Sequence, residues 1–336
     1  MGLLGYRQNA TISLVNQEKP ALSHARSLGK YADPLVFEAV DPRIAKKKGH
    51  FFNYRDYLNL KDVVLEPRQG LMYSKSGELI LESTNWPNHR LYDSYPWNPR
   101  KVTKLERKDD FIFLPSSAYG HWIMEDLPLF LFLLEKFPKS PILVFANAPK
   151  YVFDILKFIQ NEVVFIDSAV MVESLIMVAK NEDSGWPHPV DLEVLKNHWL
   201  IKERLNHQNP TRKIFASRIG SNRSPGNELE VQNVFKSMGY ECHLLHEQDF
   251  LEEINLVSEC KVLAGFHGSA LSNIIWTAQG TLMVDLVNRS YWTEAGHRLA
   301  TLSGARYLPF AYSGRSTGDV NLSELESFIY EFDKIL

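Results

Sequence analysis

Short apolar runs that alternate with helical segments constrain the fold of this 336-residue chain more than any other feature. In the first half, an apolar period of two or a continuous apolar run predicts strands, and a period near 3.6 predicts helices. The predicted strands are Phe111–Leu114, Ile142–Phe145 and Val163–Ile166, and the predicted helices run from His121 to Phe137 and from Tyr151 to Ile159. This alternation is typical of a parallel sheet with helices on its faces.

A second alternating series follows a helix predicted from Leu192 to Leu205 and a Gly- and Pro-containing linker or cleft loop from Asn181 to Pro189. Its strands are Lys213–Ser217, Glu241–Leu245, Lys261–Ala264 and Thr281–Leu286, and its helices are Glu228–Met238, Phe250–Cys260 and one that begins at Ser269. Two such series in one chain predict an α/β protein with two Rossmann-like domains facing across a cleft.

The two ends of the chain differ from this pattern. Residues 1–100 are irregular and β-leaning, with short strands predicted at Pro34–Glu38 and Leu79–Glu82. A closing helix from Leu322 to Leu336 has an apolar face that needs a surface to cover, either on its own domain or back on the first domain. We therefore expect the segments 1–100 and 101–206 to form the first domain, 207–315 the second, and 316–336 a tail helix.

Composition excludes several classes of function. A formal net charge of −3 gives no general attraction to nucleic acid, and the two cysteines suggest buried thiols in a reducing compartment. The start of the chain lacks a secretory signal, and the longest apolar stretch, Leu127–Leu134, is too short to cross a bilayer. These features predict a cytoplasmic protein without a transmembrane segment. The run Lys46–Lys48 leaves open a peripheral contact with an anionic membrane.

A strand that ends in glycines before a helix is the clearest candidate site. The segment Gly265–Ala270 reads Gly-Phe-His-Gly-Ser-Ala, and such a turn exposes backbone N–H groups at a helix start, where an anion binds. The predicted phosphate-binding residues are His267, Gly268, Ser269 and Ala270. The alternative interpretation is that this segment is a strand–glycine–helix turn that binds no ligand.

Residues at other strand ends could complete that site, because open α/β sheets bind ligands beyond the carboxyl ends of their strands. Ser217 and Arg218 end one strand, and Arg223 follows, so that two guanidinium groups could hold a phosphate. Asp285 ends another strand and could accept hydrogen bonds from a ribose or cap the next turn. The alternative interpretation is that both arginines are ordinary charged residues of a solvated loop.

The first domain offers a catalytic candidate where the helix that contains His121 begins. Glu125 lies four residues after His121, so the two side chains share one helical face. Asp126 follows directly, and acidic residues are also favoured at helix starts by the helix dipole alone. We expect Glu125 to act as a general base with His121 as its partner, with His121 and Asp126 as the alternatives.

These segments together resemble glycosyltransferase family 61, over roughly residues 60–310. The resemblance is carried by Gly120-His-Trp122 with Glu125-Asp-Leu-Pro128, by Ser217-Arg218 with Arg223 and Asn227-Glu228, and by Gly265-Phe-His-Gly268 with Leu271 and Asn273. Bacterial relatives commonly carry Ala-Gly where this chain has Ser269-Ala270, and Asp where it has Glu125. Asn273 joins the predicted donor-site residues on this resemblance.

The resemblance implies a GT-B architecture and inverting transfer of a sugar from a nucleotide sugar, with UDP favoured, to a glycan or lipid-linked glycan of surface or capsular polysaccharide. The nucleotide sugar would be a co-substrate, and no cofactor is implied. Two alternatives remain open, namely a non-catalytic binding subunit of a polysaccharide assembly complex and another GT-B-like enzyme such as a sugar-nucleotide epimerase. No nucleic-acid partner is expected.

The absence of an Asp-x-Asp sequence from the chain generates the first testable prediction. That carboxylate pair usually holds the divalent ion on a nucleotide diphosphate, so we expect nucleotide binding and transfer to survive exhaustive chelation by EDTA. Activity measured before and after chelation checks this. Loss of activity with EDTA and its return with manganese would show that a metal is required.

Overall fold

The computed structural model describes residues 12–16, 57–66, 70–80, 83, 102–180, 189–221, 223–291, 293, 295–312 and 318–334. The described residues divide into two compact units between His198 and Trp199, whereas the sequence predicts a boundary at 206/207. The predicted strand at 34–38, the lysines at 46–48 and linker residues 181–188 lie outside the described residues. No helix among the described residues is long and apolar enough to cross a membrane.

The N-terminal unit contains a mixed eight-stranded sheet. Its strands are β1 (Ile12–Asn16), β2 (Tyr57–Glu66), β3 (Leu71–Ser74), β4 (Thr103–Lys104), β5 (Phe111–Leu114), β6 (Ile142–Phe145), β7 (Val163–Ile166) and β8 (Val170–Val178). The order is β1-β2-β8-β5-β6-β7, with β3 paired to β2 and β4 to β8. Strands β8, β5, β6 and β7 are mutually parallel, and β2 is antiparallel to β8. The three predicted strands of the first series are thus confirmed as parallel neighbours.

A π-helix interrupts the predicted long helix of this unit. The segment is divided into α1 (Tyr119–His121), a π-helix (Trp122–Asp126) and α2 (Leu127–Lys136). Pro128 has no N–H, so a continuous α-helical hydrogen-bond pattern cannot pass through it. The helix predicted from His121 to Phe137 is thus present to Lys136, but its first part is wound as a π-helix, and Pro128 occupies the first turn of α2.

The unit is completed by α3 (Lys150–Leu156) and α4 (Pro189–Asn197). The predicted helix from Leu192 to Leu205 is in fact two helices, α4 and the four-residue α5 (Trp199–Lys202), and the unit boundary lies between them. Leu79, at the start of a predicted strand, makes only a single bridge to Tyr73.

The C-terminal unit contains a five-stranded sheet in which every pairing is parallel. Its strands are β9 (Arg212–Ala216), β10 (Glu241–His243), β11 (Cys260–Phe266), β12 (Leu282–Asn288) and β13 (Arg306–Tyr312), in the order β10-β9-β11-β12-β13. Counted within the unit this order is 2-1-3-4-5, which is a doubly wound order with its switch point between β9 and β11. The predicted α/β class is confirmed.

Helices α6 (Glu228–Ser237), α7 (Phe250–Ser258) and α8 (Ala295–Ser303) belong to this unit, as do two 3₁₀-helices, Leu245–Glu247 and Ser269–Trp276. The predicted strand to Leu245 therefore ends at His243. The helix expected from Ser269 begins there as predicted, but it is a 3₁₀-helix. Asn273 supports this tighter winding, since its side chain donates to Ala270 O and accepts from Trp276 Nε1, each three residues away.

The tail helix α9 (Leu322–Asp333) packs on the C-terminal unit itself. Asn321 caps its start, because the side-chain oxygen accepts from Glu324 N. Leu325, Ile329 and Phe332 are buried in the same apolar cluster as strands β9, β11 and β12. Of the two arrangements that the sequence left open, packing on its own unit is the one observed.

The burial of α9 generates the second prediction. Phe332 is 1% exposed, so Phe332→Ala should lower the free energy of unfolding by about 3–5 kcal/mol. Tyr330 on the same helix is 57% exposed, and Tyr330→Ala should change it by less than about 0.5 kcal/mol. Urea denaturation of both variants is the measurement. Equal effects of the two substitutions would contradict this packing.

Candidate functional site

The loop after β9 is organised by the buried carboxylate of Glu228, the first residue of α6. One carboxylate oxygen accepts from the Ser217 hydroxyl at 2.8 Å and from the Arg218 backbone N–H at 2.7 Å. The other oxygen accepts from the Ser224 hydroxyl. Glu228 is 2% exposed, and hydrogen bonds to a buried charge are strong. These hydrogen bonds therefore hold the loop that carries Arg218 and Arg223 from its buried side.

The loop after β11 lies beside it, because Gly265 pairs with Ala216 across the parallel strands. The Nη1 of Arg218 donates to the backbone carbonyl of His267 at 3.1 Å. A Cβ on Gly268 would lie 3.1 Å from Nη2 of Arg218 and 3.7 Å from Nη2 of Arg223, and its φ is +154°. The backbone conformation thus favours glycine at 268, and a side chain there would also crowd the guanidinium group of Arg218.

Two cations therefore meet at this turn. Burial lowers the pKa of Arg218, and the charge of Arg223 lowers it further. The Cζ of Arg223 lies 5.0 Å from the centroid of the Tyr291 ring, an arrangement typical of a cation–π contact. Gly268, Ser269 and Ala270 are partly exposed beside them, at the start of the 3₁₀-helix. An anion at this place would meet two guanidinium groups and backbone N–H groups.

The His267 ring is held in a buried hydrogen-bond network. Its Nε2 accepts from the Thr293 backbone N–H at 3.1 Å, so the ring proton is assigned to Nδ1, which donates to Asp285 Oδ2 at 2.8 Å. The Tyr307 hydroxyl donates to the same carboxylate oxygen at 2.9 Å. Burial, followed by the charge of Asp285, raises the pKa of Tyr307 well above its usual value, which keeps this hydroxyl a donor.

The predicted donor-site residues thus form two groups. Arg218, Arg223, Gly268, Ser269 and Ala270 are partly exposed and converge on one place. The others are buried beneath them, namely Ser217, His267, Asn273 and Asp285. Asp285 is fully buried against His267 and Tyr307, and its predicted ribose contact stays a prediction.

In the N-terminal unit, the candidate catalytic pair consists of His121, the last residue of α1, and Glu125 in the π-helix. His121 Nδ1 lies 3.1 Å from Glu125 Oε1, which is the predicted contact of residues four apart. The Glu125 side chain is 6% exposed and the His121 side chain 40% exposed. The hydrogen bond to Glu125 raises the pKa of His121 above 6.5, although burial opposes the shift. The imidazole is therefore the more accessible member of the pair.

Asp126 has a different environment. One of its oxygens lies 2.7 Å from Lys180 Nζ and the other accepts from the Ser117 hydroxyl. The carboxylate is also part of the lining of a mainly apolar pocket in this unit, together with Phe113, Phe130 and Met177. Lys180 and Ser117 thus orient the Asp126 carboxylate, and neither contacts the His121–Glu125 pair in these hydrogen bonds.

Four further residues contact the predicted site residues, and the sequence alone does not indicate them. They are Tyr291, Thr293, Gly296 and Tyr307. Gly296 is needed because a Cβ there would lie 2.7 Å from Asp285 Oδ2. None of the four belongs to a motif, and only their hydrogen-bond, ring or steric contacts connect them to His267, Asp285 and Arg223. An aromatic residue just beyond the end of β12 is the one signal that could have identified Tyr291.

Comparison with known protein families gives a match to the family described as Glycosyltransferase 61, over residues 119–284. The match includes His121, Glu125, Arg218, Arg223 and the Gly268 turn, and it ends before Asp285. None of the curated proteins compared matches the chain. The resemblance that the motifs indicate is thus confirmed, and it supports glycosyltransferase activity.

The His121–Glu125 contact generates the third prediction. Since the pKa of His121 is raised in the folded chain, its stabilising contribution is fully present below pH 6.5 and is lost as pH rises through the raised pKa. Glu125→Gln removes the hydrogen bond that raises this pKa, so the stability difference between parent and variant should shrink as the pH rises above about 6.5. In the variant, the NMR titration midpoint of His121 should fall.

The matched control is Glu106→Gln, which removes an exposed carboxylate of the same unit. It should leave the His121 midpoint in place. An unchanged midpoint in Glu125→Gln would mean that the pair does not form in solution.

Proposed function

We propose that this chain, matched to Glycosyltransferase 61 over residues 119–284, is an inverting, metal-independent transferase. It would move a sugar from a nucleotide diphosphate sugar, with UDP favoured, to a glycan or lipid-linked glycan. The proposal includes a GT-B arrangement, no cofactor, and a role in surface or capsular polysaccharide synthesis in the cytoplasm at the inner face of the membrane. The convergence of Arg218 and Arg223 on the Gly268 turn carries it.

The paired arginines would stabilise the departing diphosphate. When the bond between the sugar and the diphosphate breaks, negative charge grows on the leaving phosphate oxygens. Guanidinium groups that are already oriented stabilise that charge without the need for further reorganisation. Arg218 is held by its bond to His267 O, and the half-buried position strengthens its interaction with an anion. These charges would take the part that a divalent ion has in other transferases.

The His121–Glu125 pair would supply the base. The sequence favours Glu125 as the base with His121 as the alternative, and the greater exposure of the imidazole supports His121 as the group that accepts the proton. The accessible imidazole accepts the proton of the acceptor hydroxyl while that oxygen forms a bond to the anomeric carbon, and the diphosphate leaves from the opposite face. Glu125 orients the ring and stabilises the imidazolium, which explains why the carboxylate is the buried partner. A pKa above 6.5 brings the imidazole towards the range in which a general base is most efficient near neutral pH.

The fourth prediction separates donor binding from turnover. Arg218→Ala should weaken UDP binding about 10- to 100-fold, since hydrogen bonds to charged groups contribute ~1.5–3 kcal/mol. Glu125→Gln should leave UDP affinity within about twofold and lower kcat by about 10²–10⁴-fold. Isothermal titration and a transfer assay provide the two measurements.

His121→Ala should match Glu125→Gln in kcat, and the double variant should lose little more, because the two residues act as a unit. If kcat in Glu125→Gln stays within about threefold of the parent, Glu125 does not support the base, and if His121→Ala does the same, the proposed base is wrong. UDP binding that is unchanged in Arg218→Ala would remove the donor site. A chain that binds UDP sugars but never transfers them would be the non-catalytic binding subunit.

A further inference from the structure

Tyr291 lies at the edge of the proposed diphosphate site and has no role in the function described so far. Its ring is 49% exposed, with the Arg223 guanidinium 5.0 Å from its centroid. The His267 ring lies edge-on to it with centroids 6.3 Å apart. The Tyr291 backbone N–H donates to Asn288 O at 3.0 Å, which fixes the ring just beyond the end of β12.

The contact between Tyr291 and Arg223 matters because the positive charges of Arg218 and Arg223 repel each other. Both guanidinium groups approach the same Gly268 turn, and each charge disfavours the other. Within the described part of the chain, neither forms an ion pair with a carboxylate, although the charges of Glu228 and Asp285 favour the cationic form of Arg218 from a longer distance. Before an anion binds, Coulomb repulsion favours movement of Arg223 towards solvent. The face of an aromatic ring attracts a guanidinium without adding a negative charge that would compete with the anion.

We infer that Tyr291 is a positioning residue that holds Arg223 beside Arg218 before a diphosphate binds. This inference rests on the proposed function, because it assigns Tyr291 to the same donor site. With Arg223 already in place, the diphosphate does not have to order that side chain on binding, and pre-ordered side chains increase affinity. Tyr291 itself need not touch the ligand.

The chain offers a matched control for this role. Tyr330 is also exposed, at 57%, and its ring also faces a cation, with Lys334 Nζ 4.0 Å from the centroid. It lies on α9, away from the loops after β9 and β11 in sequence. The substitutions Tyr291→Leu and Tyr330→Leu thus remove the same kind of contact at two different places.

The fifth prediction concerns the affinity for inorganic pyrophosphate, measured by isothermal titration on the full chain at low ionic strength. Tyr291→Leu should raise Kd about three- to tenfold. Tyr291→Phe keeps the aromatic face, so it should retain a Kd within about twofold of the parent. Tyr330→Leu should have no effect. A thermal melt of each variant confirms that it is folded.

Combination with Arg223→Ala tests whether Tyr291 acts through the arginine. In the Arg223→Ala background, Tyr291→Leu should produce no further loss of pyrophosphate affinity, because the group that it positions is gone. Additive losses, or a Tyr291→Phe variant as weak as Tyr291→Leu, would overturn the inference. Unchanged pyrophosphate affinity in Tyr291→Leu would also overturn the inference about Tyr291, but it would not contradict the proposed donor site. A parent chain that does not bind pyrophosphate would instead overturn the diphosphate site itself.

Discussion

The reversal of strand order between β9 and β11 is the constraint on which the candidate site of the C-terminal unit depends. Helices that follow strands on either side of a switch point leave opposite faces of the sheet, so the two loops separate and open a crevice at the carboxyl ends. Arg218 follows β9, and the Gly268 turn follows β11. The pairing of Gly265 with Ala216 sets these loops side by side, and the bond from Arg218 to His267 O joins them.

Charge is distributed in two layers at this crevice. The carboxylates of Glu228 and Asp285 are buried and hydrogen-bonded, where they fix the loop after β9 and the His267 ring. The guanidinium groups lie above them and stay partly exposed. A buried charge is tolerated when donors surround it, and removing those donors would be costly. The two carboxylates therefore stabilise the loops from the buried side, and the two guanidinium groups place positive charge on the exposed side.

In the N-terminal unit, a π-helix likewise sets the positions of charged side chains. π-Helical turns are frequent at functional sites, and here Trp122–Asp126 places a buried Glu125 one turn after a half-exposed His121. Asp126, the next residue, has separate partners in Lys180 and Ser117. Two adjacent carboxylates thus have different environments, which explains how one can serve the imidazole while the other anchors the helix to its surroundings.

The sequence by itself determined the α/β class, seven strands of the two sheets to within a few residues, the glycine turn and the list of charged candidates. Periodicity and glycine placement are local properties, so they can be recognised in the amino-acid sequence alone. Only the tertiary structure decided which candidates are exposed, since burial depends on contacts between segments far apart in the chain. His267 and Asp285 are predicted ligand-binding residues, and the structure shows in addition that their side chains are buried and hydrogen-bonded to each other. The contact of Arg223 with Tyr291 joins residues on two different loops, and no pattern within either loop encodes it.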